Sequence, residues 1–195
     1  MRFSLFVVLF LTCSVVTATT IQKLTFEQLS SGAELIFEGR VLSSQTSWNN
    51  SKTEIATEVT FEVVEVLSGD FQAGQLVLRF LGGTVDGHTM RVQATRYPEV
   101  GEQGVYFVES VSRKMVNPLL GWTQGHFKIK SGVVATVNDS IIVGIEGTGA
   151  GSTNLVSEGE ISEGVVAGVK TKQATSSQAG MSVEEFKKLI LDTVN

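Results

Sequence analysis

The chain is poor in the residues that build disulfides and metal sites. It holds 1 Cys and 2 His among 195 residues. A single cysteine excludes a disulfide within the chain, and cysteine-based zinc sites need more than one thiolate. Two histidines leave little for a His-rich metal site. A basic surface is also lacking. The 15 Lys and Arg stand against 20 Asp and Glu, for a formal charge of −5, which argues against a nucleic-acid partner. No apolar run reaches the roughly 20 residues that carry a helix across a bilayer. There is no internal repeat. What remains is globular in character: 42% hydrophobic and 18% charged, which suffices for one domain with its own core, with room for an appendage.

The first 18 residues, MRFSLFVVLFLTCSVVTA, read as a secretory signal peptide. Arg2 supplies the positive start, Leu5 to Val16 the short apolar stretch, and Val16-Thr17-Ala18 the small-residue cleavage pattern. Cleavage is expected between Ala18 and Thr19. Cys13 offers the alternative of a lipid anchor, although Thr12 stands where that processing favours a small residue. Cleavage after Ala18 discards Arg2 and Cys13. The mature chain is then slightly more acidic and free of cysteine, so its fold must be held by its core.

The mature chain reads as mainly β: an antiparallel OB-like barrel or sandwich with a short N-terminal helix and an amphipathic C-terminal helix. Thr25-x-x-Gln28 is a capping box that predicts a helix over 26–31, with Gly32 at its stop. Ser182-x-x-Glu185 repeats the device. Val183, Phe186, Leu189, Ile190 and Val194 then follow at helical spacing, predicting a helix over 183–193 docked by that stripe. Between them period two dominates. Val59, Phe61 and Val63 face inward while Glu58, Thr60 and Glu62 face water. The phase breaks at Val64 and Val66, which predicts a β-bulge near Val63-Val64. Leu76, Leu78 and Phe80 form the next inward set, and further strands are expected near 88–94, 104–111, 122–130, 132–137 and 140–145. Short turns such as Asp86-Gly87, Ser131-Gly132 and Asn138-Asp139 imply antiparallel pairing. The β domain is thus expected over 19–146. A Gly/Ser/Thr-rich loop or linker is expected over 147–180, and the docking helix within 181–195.

Candidate chemistry is sparse. Asp86, His88 and His126 are the available metal-ligating or acid–base set, but a catalytic zinc site needs a third ligand at a suitable spacing. No Ser sits in a G-x-S-x-G elbow. The glycine run over 147–152 lacks the Gly-Lys-Ser/Thr ending of a phosphate loop and reads as a flexible loop. Trp48 lies in a polar connection between two strong strands, either as a cover over the end of the β domain or as a binding contact. Trp122 reads as core.

Two segments carry a resemblance. Ala33-Glu34-Leu35-Ile36-Phe37-Glu38-Gly39-Arg40-Val41, followed by the strand from Val59 to Gly69, resembles the opening of netrin-like and tissue-inhibitor-of-metalloproteinase-like domains, which are OB-type barrels. Gly82-Gly83-Thr84-Val85-Asp86-Gly87 and Gly121-Trp122-Thr123-Gln124-Gly125 are similar to motifs of a group of uncharacterised secreted bacterial proteins. The resemblance implies a fold. It implies no inhibitory residue, because those inhibitors use disulfides and an N-terminal cysteine that this mature chain lacks.

These readings leave a leading function and two alternatives. The leading one is a secreted or periplasmic, non-enzymatic binding module with no cofactor, whose partner is an extracellular or periplasmic protein or glycan. The alternatives are a secreted hydrolase whose site assembles in three dimensions around His88 and His126, and a structural envelope lipoprotein anchored at Cys13.

Overall fold

The computed structural model describes residues 21–146, 164–173 and 180–195. The expected leader with its Ala18–Thr19 cleavage point, Cys13, the 147–152 glycine run and most of the expected linker lie outside the described residues. In chain order the elements are α1 (Phe26–Gly32), β1 (Leu35–Trp48), β2 (Ile55–Ser68), β3 (Gln75–Leu81), β4 (Gly83–Val85), β5 (His88–Met90), β6 (Gln103–Val108), β7 (His126–Lys130), β8 (Val133–Thr136), β9 (Ile141–Ile145), β10 (Val169–Lys172) and α2 (Val183–Val194), with a 3-10 turn at Trp122–Gly125 before β7. The protein is mainly β.

Eight strands form one antiparallel sheet in the order β10-β9-β8-β7-β6-β1-β2-β3, and β4 and β5 form a separate ribbon. The large sheet does not close on itself: β10 and β3 remain its edges. The barrel form of the expectation therefore lacks hydrogen-bonded closure. Its shape comes from coiling instead. In the β1–β2 hairpin Leu42, Val64 and Leu67 are skipped by the pairing register. Each extra residue bends its strand and increases the local twist. The bulge at Val64, where Glu38 pairs with Glu65 and Gly39 with Val63, stands where the broken alternation predicts it.

Both faces of the sheet are covered. On one face α1 and α2 lie over Ile36, Val105, Phe107, Phe127, Val134 and Ile142. Phe186 of α2 sits at the centre, its ring centroid 5.6 Å from Phe26 and 4.9 Å from Phe127. On the other face Phe37, Val59, Phe61, Leu78, Phe80 and Tyr106 pack together. Phe61 of β2 and Tyr106 of β6 are two strands apart, yet their ring centroids are 4.8 Å apart. Neighbouring strands are about 4.8 Å apart, so the two rings lean together above β1.

The helices start as their sequences predict, but Gly32 is the last residue of α1 rather than its stop, and Ala33 caps the helix in extended backbone. Thr25 and Gln28 make both halves of the capping box, and the Ser182 hydroxyl accepts from the Glu185 N–H at 3.2 Å. The backbone of Met181 seats α2. It accepts from Val134 N–H at 3.0 Å and donates to the Ile142 carbonyl at 2.7 Å, bonding to both β8 and β9.

Three expectations differ in detail. Residues 169–172, inside the stretch expected as a linker, form β10 against β9, and Val166 is buried in the helix-side core. Residues 122–125 are a 3-10 turn rather than strand, because Gly121 and Trp122 both take left-handed backbone, at φ 61° and 60°. Trp122 is half-buried rather than core. The strand expected over 88–94 ends at Met90. Beyond it the chain runs as an irregular loop held by Tyr97, whose hydroxyl donates to the Leu81 carbonyl at 2.9 Å.

Candidate functional site

Asp86 lies in the tight turn joining β4 to β5, and His88 is the first residue after it. Asp86 and Gly87 adopt φ 51° and 77°, the left-handed pair that a two-residue hairpin turn requires. His88 is exposed; its Nδ1 lies 3.1 Å from the Asp86 backbone oxygen, and its ring meets the edge of Trp48 at 5.5 Å. Trp48 is the last residue of β1 rather than part of a connecting loop, and it is half-buried against the small ribbon. His126 belongs to the large sheet and is 1% exposed. The two histidines lie on different sheets and share no partner. Among the described residues no three His, Cys, Asp or Glu side chains gather as a metal group.

The partner of His126 is Glu102, just before β6, with Nε2 to Oε1 at 2.5 Å. The Tyr106 hydroxyl donates to the same carboxylate oxygen at 3.0 Å, and the Tyr106 ring lies 5.2 Å from the imidazole. Lys128, two residues along β7, lies between Glu102 and Asp139, its Nζ 3.0 Å from the latter. Lys130 joins Asp139 at 2.8 Å. Alternation explains the gathering. Tyr106 is on β6 and His126 and Lys128 on β7, with Tyr106 directly paired to His126, so strand pleating turns all three to one face. Burial acts to raise the Glu102 pKa. The hydrogen bond and charge of His126, then Tyr106 and Lys128, outweigh it and hold the carboxyl below its usual range. The same burial, reinforced by Glu102, holds the Tyr106 hydroxyl well above the usual phenol value. A His–Glu pair is acid–base chemistry in kind. Here the imidazole is enclosed and its Nδ1 is buried without a partner among the described residues, and the cluster ties β6 to β7.

A second cluster fixes α2. Lys187 contacts Glu38 at 3.1 Å, Glu65 at 2.9 Å and Glu184 at 2.9 Å, while Gln103 donates to the other Glu38 oxygen at 2.8 Å. Burial acts to lower the Lys187 pKa, but the three carboxylates raise it well above the usual lysine value. Glu38 is a buried carboxylate whose cation comes from the C-terminal helix.

The accessible polar surface lies elsewhere. A cleft of about 440 Å³ opens between the N-terminal segment, the irregular loop after β5, the 3-10 turn and the β8–β9 turn, lined by Ile21, Thr95, Arg96, Thr123 and Asn138. A shallower depression of about 480 Å³ adjoins it, sharing Thr95 and Arg96 and adding Ser44, Tyr97 and Glu99. The walls are well braced. Gln124 is buried and accepts from the Leu24 N–H at 2.9 Å while donating to the Gln22 carbonyl at 3.0 Å. This holds the N-terminal segment over the turn. Gly121 permits the approach: a side chain there would meet Leu24 and Gln124 at about 3 Å. On the loop side Tyr97 is anchored as above and Pro98 is buried.

None of the cleft residues follows from a motif, apart from Thr123 within Gly121–Gly125. Glu102, Tyr106 and Lys128 were equally invisible singly. The signal available was positional: Glu102 and Tyr106, and His126 and Lys128, stand at even spacing on neighbouring strands. Comparison of the chain with family models, with curated proteins and with solved structures returns no match.

Proposed function

We propose that this chain is a secreted or periplasmic binding module whose ligand is held in the cleft beside Arg96. The carrying observation is the contrast between the two kinds of polar group. The acid–base pair Glu102–His126 is built into the sheet, its imidazole enclosed with Nε2 bonded to Glu102 and Nδ1 buried without a partner among the described residues, whereas the cleft exposes a guanidinium and an amide on a braced scaffold. Loops positioned by a rigid sheet are where binding surfaces commonly lie. Export rests on the leader-like residues 1–18, and no helix among the described residues is long and apolar enough to cross a membrane.

The test uses the chain beginning at Thr19, isotope-labelled, titrated with fragments of extracellular glycans and peptides and followed by amide shifts. Saturable shifts at Thr95, Arg96, Thr123 and Asn138 support the reading. Shifts confined to Trp48 and His88 overturn the site, and turnover of a hydrolase substrate overturns the binding-module assignment. The mass of the exported chain tests the leader: a start at Thr19 supports it, a lipid on Cys13 replaces it with an anchored protein, and a retained Met1 refutes it.

A further inference from the structure

We propose that the cleft binds an acidic sugar, with Arg96 pairing to a uronate carboxylate and Thr95, Thr123 and Asn138 meeting the hydroxyls; this rests on the binding-module reading above. Three observations converge. The first is Arg96 itself. Like Arg40, Lys52, Arg91 and Lys188, Arg96 has no side-chain hydrogen bond or ion pair with any described residue, and of these five it is the one that lines both concavities. It stands between two concave surfaces rather than on a convex one. A guanidinium presents a planar fork of donors that matches a carboxylate edge to edge.

The second is Thr95. Its hydroxyl is buried and has no partner among the described residues, although the residue lines both concavities. Buried hydroxyls are normally satisfied. An orphaned hydroxyl on a residue that lines the cleft marks a polar partner that the described chain does not supply. The loop holds this arrangement at the expense of backbone comfort: Ala94, immediately before Thr95, sits at φ 57°. Residues in such conformations persist where the surroundings fix them, and they gather at ligand sites.

The third is the character of the lining. Apart from Ile21 and Ala94 the walls are Thr95, Arg96, Thr123 and Asn138 together with Gly164. The named side chains of this cleft are mostly hydrogen-bonding ones. A hydroxyl-rich ring bearing one carboxylate fits hydroxyl, amide and guanidinium walls.

The experiment titrates the Thr19-start chain with trigalacturonate, with the neutral trisaccharide maltotriose and acetate as comparisons, and repeats it on Arg96→Gln and Arg96→Lys. The expected result is saturable binding of trigalacturonate with amide shifts at Thr95, Arg96, Thr123 and Asn138. Arg96→Gln should weaken it at least tenfold, which is about 1.4 kcal/mol, and Arg96→Lys should recover only part. Both variants lie on an exposed loop and should keep the parent melting temperature. Binding of maltotriose at the same amides with equal affinity overturns the uronate assignment and leaves the cleft as a neutral-glycan site. Equal binding of acetate reduces the site to a carboxylate trap and overturns the sugar assignment. No saturable shift with any of the three at about 10 mM, a concentration at which even a Kd of about 1 mM would show, overturns this proposal, and the broader titration above then decides the fate of the cleft.

Discussion

Replacing Phe186 by alanine tests the claim that α2 is part of the fold rather than a tail laid on it. The side chain is 0% exposed and is held between Phe26 of α1 and Phe127 of β7, at 5.6 and 4.9 Å between ring centroids. Removing a buried phenylalanine costs about 3–5 kcal/mol, the spread reflecting how far the site can collapse. Here collapse is limited, because Phe26 and Phe127 belong to elements pinned by a capping box and by the sheet ladder. Two aromatic contacts, each contributing roughly 0.5–1.5 kcal/mol beyond area burial, are lost together. The expected cost is therefore about 4 kcal/mol, a large fraction of the roughly 5–15 kcal/mol that holds a domain folded. Urea unfolding reads it directly. With a slope of about 1–3 kcal/mol per molar, the midpoint should fall by about 2 M. Leu191→Ala, on the same helix but 38% exposed, should lie within about 0.5 kcal/mol of the parent. A loss below about 1 kcal/mol for Phe186→Ala, at unchanged slope, would refute the docking argument.

Other outcomes follow from the same geometry. Phe61→Ala, which removes a 0% exposed ring packed between Phe37 and Tyr106, should cost about 3–5 kcal/mol in the same assay. Lys187→Met leaves the buried Glu38 carboxylate with only Gln103; it should cost about 1–3 kcal/mol at neutral pH, and Glu38→Gln in the same chain should recover part of it. Glu102 has a folded-state pKa below its usual value. The stability it contributes is fully present above the unfolded-state value and is lost as pH falls through the depressed folded one. Urea midpoints measured from about pH 7 to about pH 3 should therefore decline less steeply for Glu102→Gln than for the parent. Gln124→Ala should speed amide exchange at Leu24, whose N–H it binds, while exchange in β1 and β2 stays unchanged; equal rates at Leu24 would refute the clamp.

Local rules carried the legible part of the fold. The starts of α1 and α2 follow from Thr25, Gln28 and Ser182 because capping is a three-residue interaction. The Val64 bulge follows from a phase slip between Val63 and Val66. β10 was hidden because four residues, Val169–Lys172, become a strand only by pairing with β9, and the surrounding Gly, Ser and Thr carry no strand pattern. The 3-10 turn was hidden because Trp122 takes a left-handed conformation that its residue type disfavours. The site was less legible still. His126 and Glu102 meet through sheet pairing, for which no spacing rule exists. Arg96 sits in an irregular loop, and its lack of a partner among the described residues is a property of three dimensions alone.

The ring stack at the centre of the helix-side core joins opposite ends of the described chain: Phe26 belongs to the first helix and Phe186 to the last. The edge strand β10 and the seat at Met181 are late in the chain as well. A nascent chain released up to β9 therefore has α1 and one sheet face uncovered, with Ile36, Phe107 and Phe127 still awaiting their cover. Contacts this distant in sequence form late, because the intervening loop must close before they bring any gain. Until the final turns of α2 emerge, the chain is a half-built sheet with an open apolar side.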